Sequence, residues 1–398
     1  MTQEYDNQES EHSSLLKLPD YSKDFSLKTP DIWLNVASEG PIPLVAKKSL
    51  EEAIEWKLSP HLLTIHKFHQ VPLQLKTSIA KLLHVEPDDI ILGNSATYGL
   101  HLLANGLSFK PQDEIVVLQN DFPTDILPWL SLESKGIKIR QLKAFNHVLT
   151  VEEIRQAITQ KTKLICLPLI HSFSGWKEDI KAIGDLCHSH GIILVVNLSQ
   201  AIGAFDVDLT QWKVDAVVSA GYKWLLGPYG TGFCWIKKKL REQINYPQNY
   251  WISLMDEKSL SHEGEIKLQD VHTARRYDIF GTANFFNYVP WNASIEYLIS
   301  VGLQNINLHN SVLVDQMIDG LDTKKYDLIS PREKKERTNI VVFSCKEPSK
   351  NAKLNEVLKS QGIHLALWKE KLRVSPHLYN KVSEIEKLLK VVNQYAAQ

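Results

Sequence analysis

Three stretches of this chain carry side chains that could do chemistry or hold a ligand for it. The first is Asp215-Ala-Val-Val-Ser-Ala-Gly-Tyr-Lys223-Trp-Leu-Leu-Gly-Pro-Tyr-Gly-Thr-Gly232, an apolar run entering a Gly/Pro-rich turn with one lysine at the junction. An amine held there can form a Schiff base with an aldehyde, and the glycines let backbone pass close to a bulky ligand. The second is Ile90-Ile-Leu-Gly-Asn-Ser-Ala-Thr97-Tyr-Gly-Leu, a strand, a small-residue turn and a helix start. Free N–H groups and the positive end of the helix dipole suit such a start to a phosphate. The third is Leu372-Arg373-Val-Ser-Pro-His-Leu-Tyr-Asn380, whose guanidinium offers parallel donors to a planar carboxylate. Taken singly, each has a plainer reading: a lysine capping a strand, an N-cap, a solvated arginine.

The elements around them must bring these stretches to one place. Short apolar runs at 90–92, 114–118, 137–142, 163–170, 192–197, 216–219 and 232–236 read as strands. Most are separated by helix-like stretches such as 151–160 and 181–190, which implies a mainly parallel sheet covered by helices. Open parallel sheets bind ligands beyond the carboxyl ends of their strands, where all three stretches fall. After Trp291 a helix at 292–301 leads into a smaller α/β unit, with strands expected at 338–345 and 371–375 and helices at 352–361 and 383–396. The expected division is an N-terminal arm over 1–28, a large unit over 29–290 and a small one over 291–398. The chain has 398 residues, 43% hydrophobic, enough for two well-buried units. A net charge of -1 favours neither nucleic acid nor an acidic membrane. No apolar run reaches transmembrane length and the polar N-terminus carries no secretion signal, so a cytoplasmic enzyme is expected. The four cysteines are scattered without a CxxC pair and read as buried thiols, not as a metal site.

Together these stretches resemble the signature of the class V aminotransferases, a branch of the fold-type I pyridoxal-phosphate enzymes. The likeness spans about residues 30 to 395 and is closest in motif to isopenicillin N epimerase-like and kynureninase-like members. It implies a fold with a seven-stranded, mainly parallel sheet plus a smaller C-terminal α/β domain, with pyridoxal 5'-phosphate on Lys223. By the same resemblance Ala96 and Thr97 hold the phosphate, and Tyr222 donates to it. Asn120-Asp-Phe122-Pro-Thr-Asp125 resembles the family's Phe-Pro-Ser/Thr-Asn/Asp element. Phe122 would then stack on the pyridine ring and Asp125 bond near it. Gln200 takes the contact to the phenolic oxygen, and Arg373 grips the substrate's α-carboxylate. Asn35 belongs to a turn that related enzymes bring over the substrate. His171 follows a strand and either lines the pocket or forms a plain turn. Tyr277-Asp-Ile-Phe-Gly-Thr282-Ala-Asn resembles a Gly-Thr pair that reaches the neighbouring subunit's phosphate, which implies a homodimer.

Two departures shape the expected reaction. Where the family has an aspartate facing the pyridine nitrogen, this chain has Asn197. A neutral amide cannot hold the nitrogen's proton with a full charge, which weakens the electron sink. Lyase or epimerase-like chemistry is therefore expected ahead of transamination, with an aminotransferase or a non-catalytic binder as alternatives. Phe122 cannot move protons, so Lys223 is the expected shuttle. Segment 362–371 has no cysteine, and on that ground the chain is expected not to be a cysteine desulfurase.

Overall fold

The computed structural model describes residues 19–395, apart from 28–30, 247, 256–260, 262, 266–272 and 282. A first short strand, β1 (Ile32–Trp33), precedes the main sheet. That sheet contains β2 (Ile90–Gly93), β3 (Glu114–Leu118), β4 (Lys138–Leu142), β5 (Thr162–Pro168), β6 (Ile193–Asn197), β7 (Ala216–Ala220) and β8 (Gly232–Ile236). Their spatial order is β2-β8-β7-β6-β5-β3-β4, with β8 antiparallel to both neighbours and the other pairs parallel.

Continuous apolar runs form these strands because both faces are covered. Along β6, Leu194 and Val196 join one core cluster while Val195 joins the other. Along β7, Val217 faces the first cluster, and Ala216 and Val218 the second. Burying each such valine side chain is worth about 1.5–3 kcal/mol. All four cysteines are buried and unbridged. No described helix is long and apolar enough to cross a membrane.

The C-terminal unit holds β9 (Tyr326–Leu328), β10 (Val341–Cys345), β11 (Ile363–His364), β12 (Ala366–Trp368) and β13 (Lys371–Val374). Four of these form an antiparallel sheet in the order β12-β13-β10-β9. Helix Val382–Tyr395 covers it with Ile385, Leu388, Val391 and Val392. The expected strand at 338–345 begins later, since the Thr338 hydroxyl instead donates to the Gly175 carbonyl at 2.7 Å. The helix expected to begin at 292 starts at Phe285, its first turns disguised in the sequence by Pro290.

Packing crosses the expected division near the N-terminus. β1 pairs in parallel with β11, and Ile32 and Leu34 lie in the hydrophobic cluster of the C-terminal unit. The chain then runs beside β13, where the Ser375 N–H donates to the Leu34 carbonyl at 2.8 Å. It next reaches the lysine loop, where the Gly40 N–H donates to the Tyr222 carbonyl at 2.8 Å.

Candidate active site

The loop after β7 presents Lys223. It is closed at its neck by the Gly221 N–H on Thr231 and the Gly227 N–H on Gly221, each 2.9 Å. The bulky group admitted by these glycines is the protein's own Trp291: a Cβ at Gly221 or Gly227 would stand 2.5 or 2.3 Å from its indole. This corrects the expectation that they clear space for a ligand. Lys223 is 7% exposed and forms no ion pair among the described residues. Burial, reinforced by the charge of Arg373, lowers its pKa to about 8 despite the opposing pull of Asp125, Asp121 and Glu39.

The Lys223 Nζ lies 5.2 Å from the Phe122 ring centroid. Phe122 caps the short turn Pro123–Asp125, which follows β3 and turns Asp125 inward. Asn197 ends β6, and its amide donates to Asp125 Oδ1 at 2.8 Å while its carbonyl oxygen accepts from the Ser199 N–H at 2.9 Å. Asp121 is also buried, its Oδ1 accepting from the Phe122 N–H at 2.7 Å and its Oδ2 without a partner. Burial and the adjacent Asp125 hold Asp121 well above the ordinary carboxyl range. Asp125 is pushed up by burial to about 6, with Asn197 and Lys223 favouring its charged form. The floor thus holds a carboxylate, Asp125, fixed by the amide of Asn197.

Helix Ala96–Gly106 starts from Ser95, whose hydroxyl accepts from the Tyr98 N–H. The amides of Ala96 and Thr97 open its first turn, where helical N–H groups have no intrahelical partner. The Thr97 hydroxyl lies 3.1 Å from that of Thr124, placing the helix start against the Phe122 turn. Tyr222 is half-buried beside Tyr229, with ring centroids 4.7 Å apart. Thr282 lies outside the described residues.

Arg373, on β13, donates through Nη1 to the Ser172 carbonyl at 3.0 Å. Its Nη2 donates to Asn35 Oδ1 at 3.3 Å and Ser38 Oγ at 2.7 Å. Of the five N–H groups of a guanidinium, these three bonds leave two, and Nε is buried without a partner. Burial lowers its pKa to about 10, still cationic at neutral pH. Gln200 is occupied by protein: its amide donates to the Ala37 carbonyl at 3.0 Å and Ser172 Oγ at 3.3 Å, and its oxygen accepts from Trp224 Nε1 at 2.9 Å. His171 is buried with Nδ1 2.7 Å from Ser174 Oγ. Glu39 follows Ser38, and burial raises it to about 7 against the pull of Lys223.

Sequence reading missed Ser38, Glu39, Asp121 and Thr124. Asp121 and Thr124 lay inside a motif already singled out. Ser38 and Glu39 carried no signal beyond adjacency to Asn35.

Pyridoxal 5'-phosphate fits these residues. They provide an unpaired buried amine, helix-start amides, an aromatic face, a buried carboxylate and an arginine with an unpartnered donor.

The family model for class V aminotransferases matches residues 59–388. A probable cysteine desulfurase of Methanothermobacter thermautotrophicus is 24% identical over 319 residues, covering 77% of this chain and 78% of the relative. A cysteine desulfurase from Thermococcus onnurineus superposes with a TM-score of 0.83 at 21% identity, covering 96% of this chain and 99% of that one. The cystine C–S lyase C-DES, in complex with its reaction product cysteine persulfide, gives a TM-score of 0.83 at 19% identity, covering 92% and 98%. These relatives overturn the exclusion of cysteine desulfurases, because one loop without a cysteine cannot outweigh a likeness running along most of the chain. With the seven-stranded fold and the family match in agreement, the chain belongs to the class V aminotransferases, a family of pyridoxal-phosphate enzymes.

Proposed function

We propose that this enzyme acts on a small α-amino acid through a Schiff base at Lys223 and breaks a bond at the β-carbon, as a lyase, with carbon–sulfur cleavage foremost. The observation that carries the reading is the state of Lys223: buried, without an ion pair, and lowered to about 8. At pH 7.5 that makes about a quarter of the amine neutral, against about 0.1% at the ordinary lysine value. A neutral amine is both the nucleophile that attaches a carbonyl and the base that accepts an α-proton. The names of the relatives favour carbon–sulfur cleavage over epimerisation.

The residues divide the work. Arg373, steadied by Asn35, Ser38 and Ser172, holds the α-carboxylate and so orients the α-hydrogen toward Lys223. Pyridoxal phosphate, when bound, supplies the electron sink that lets that hydrogen leave as a proton. Phe122, its ring centroid 5.2 Å from Lys223 Nζ, would stack against the cofactor's ring. Asp125 places a negative charge at the floor, and Asn197 fixes its direction. Ala96, Thr97 and Tyr222 hold the phosphate. Burial of this set excludes the water that would weaken each contact.

We further propose a homodimer in which Thr282 completes the partner's phosphate site. Exposed Phe280, Phe286 and Tyr229 around that segment support it. Sedimentation of a monomer that retains its cofactor would count against the dimer.

The test of function is borohydride reduction followed by peptide mass analysis, with a panel of L-cysteine, L-cystine and S-alkyl cysteines. A pyridoxyl group on Lys223 and release of sulfur from at least one compound are expected. Alanine or pyruvate among the products then identifies the route of cleavage. Modification elsewhere, or sulfur released from none, would overturn the reading.

A further inference from the structure

Behind the stacked rings of Phe122 and Phe173, whose centroids are 6.1 Å apart, lies a second cavity of about 410 Å³. Its charged lining comes from three places in the fold: Lys143 and His147 after β4, His171 after β5, and Lys369 and Lys371 at the β12–β13 turn. No carboxylate lines it, and none of its three lysines joins an ion pair among the described residues. Nearby acids are otherwise engaged. Burial holds Asp121 well above the ordinary carboxyl range, and Glu153 accepts from Thr150 and from the Phe145 N–H. The cations oppose one another: after burial, the charge of Lys371 lowers His147, and burial lowers Lys369 against the pull of Asp121, with Lys371 adding to the lowering.

His171 adds a directed donor. Burial lowers its pKa to about 4, so the ring is neutral. Ser174 Oγ accepts from the Trp176 N–H at 3.4 Å and lies 2.7 Å from Nδ1 of His171. With the Ser174 hydroxyl donating to Nδ1, the imidazole proton sits on Nε2 and faces the cavity side of the ring as a donor. Nε2 is buried and makes no hydrogen bond of normal geometry, while the Asn120 carbonyl, which also accepts from the Lys369 ammonium at 2.6 Å, acts on the ring from nearby. An arriving anion offers this buried donor a charged, better-aligned acceptor.

We propose that this cavity is an anion-binding annex to the active site, taking a small dianionic group such as a phosphate or a dicarboxylate between the three lysines and His171 Nε2. It is separate from the helix start at Ala96 and Thr97 and does not depend on which bond the enzyme breaks. Lys369 Nζ also lies 4.0 Å from the Phe173 ring centroid, on the residue that stacks against Phe122. An anion drawing Lys369 into the cavity therefore changes the support behind the cofactor's stacking ring. The anionic group has two possible sources, the far end of an amino-acid substrate or a free anion.

Holoenzyme, with the helix start already filled, is titrated with inorganic phosphate and with succinate by calorimetry at low ionic strength. Saturable binding of at least one is expected, weakened about tenfold or more in Lys369→Ala/Lys371→Ala and in the bulk-conserving Lys369→Gln/Lys371→Gln, since a charge-assisted bond is worth about 1.5–3 kcal/mol. No saturable binding to the unaltered holoenzyme, or equal affinity in both double variants, would overturn the annex. Kinetics with S-carboxymethylcysteine and S-methylcysteine separate the sources. If the group belongs to substrate, the double variants lose kcat/KM for the first compound alone and succinate competes with it. If the anion is free, both substrates respond alike and the anion shifts the cofactor's absorbance without competing. Should neither compound be cleaved, the carbon–sulfur reading fails while calorimetry still decides the annex.

Discussion

Lys76 and Lys223 are buried to nearly the same degree, 5% and 7% exposed, and the fold treats them in opposite ways. Lys76 Nζ sits 2.8 Å from Asp278 Oδ2, while Asp278 Oδ1 accepts from the Leu92 N–H at 2.8 Å. The charge is answered there, and β2 is tied to helix Ile65–Leu83 as a result. Lys223 has an aromatic face, a second cation in Arg373 and no ion pair. The first arrangement spends a charge on structure. The second leaves desolvation uncompensated, and an uncompensated buried amine sheds its proton near neutrality. Both lysines follow apolar sequence, so burial alone does not tell a structural lysine from a reactive one; the partner does.

The sharpest break of this contrast is a swap of consequences. Lys223→Ala is expected to lower turnover about 10³–10⁴-fold and abolish the reducible cofactor adduct, with little loss of stability. Lys76→Met should do the reverse, costing about 3–5 kcal/mol in urea unfolding because Asp278 is left buried and alone, with turnover per folded molecule within a few-fold. Equal stability losses would erase the distinction. Arg373→Lys comes next, with kcat/KM down about 10–100-fold as the forked donor is lost.

Asn197→Asp tests the floor. It replaces a donor to Asp125 with a second carboxylate and should cost about 1–3 kcal/mol at neutral pH. The sign follows from linkage. A carboxyl whose folded pKa is raised binds its proton more tightly when folded, so stability falls as pH rises from the unfolded value to the folded one. For Asp125 that window runs from 3.8 to about 6. The variant should extend it upward and regain its deficit in acid; a pH-independent deficit would point to packing instead. The smallest effect is expected at Glu39. Glu39→Gln should remove an inflection near pH 7 from the kcat/KM profile, with less than about a tenfold change in rate, leaving the rise through about 8 that belongs to Lys223.

Much of the sheet was legible because strands covered on both faces leave unbroken apolar runs, as in β3, β6 and β7. Lys223, Phe122, Asp125 and Arg373 stood out through residue type next to strand ends or turns. Contacts that exist only after folding were not legible. Ser38 meets Arg373 across 335 positions. The amide of Asn197 was expected to face a ring nitrogen, but its bond to Asp125 spans 72 positions that no local pattern reports. Pro290 hid a helix start, and the glycines flanking Lys223 were read for a ligand when they admit Trp291. The exclusion of cysteine desulfurases from one absent cysteine was the weakest step, for it weighed a single side chain against the rest of the chain.

The passage from β1 to Gly40 couples the two units mechanically. Ile32 and Leu34 are anchored in one core, Asn35 and Ser38 grasp the guanidinium, and Gly40 is pinned to the backbone of the other unit with no room for even a methyl, since a Cβ would stand 2.2 Å from the Lys223 carbonyl. Val36 and Ala37 already sit in the core cluster that packs under the main sheet, and Glu39 is held at both backbone ends, its N–H donating to the Asn35 carbonyl at 3.1 Å and its carbonyl accepting from Trp33 Nε1 at 2.8 Å. The passage is therefore one clamped strap, and the carboxyl that burial raises to about 7 rides on the same segment that steadies the guanidinium.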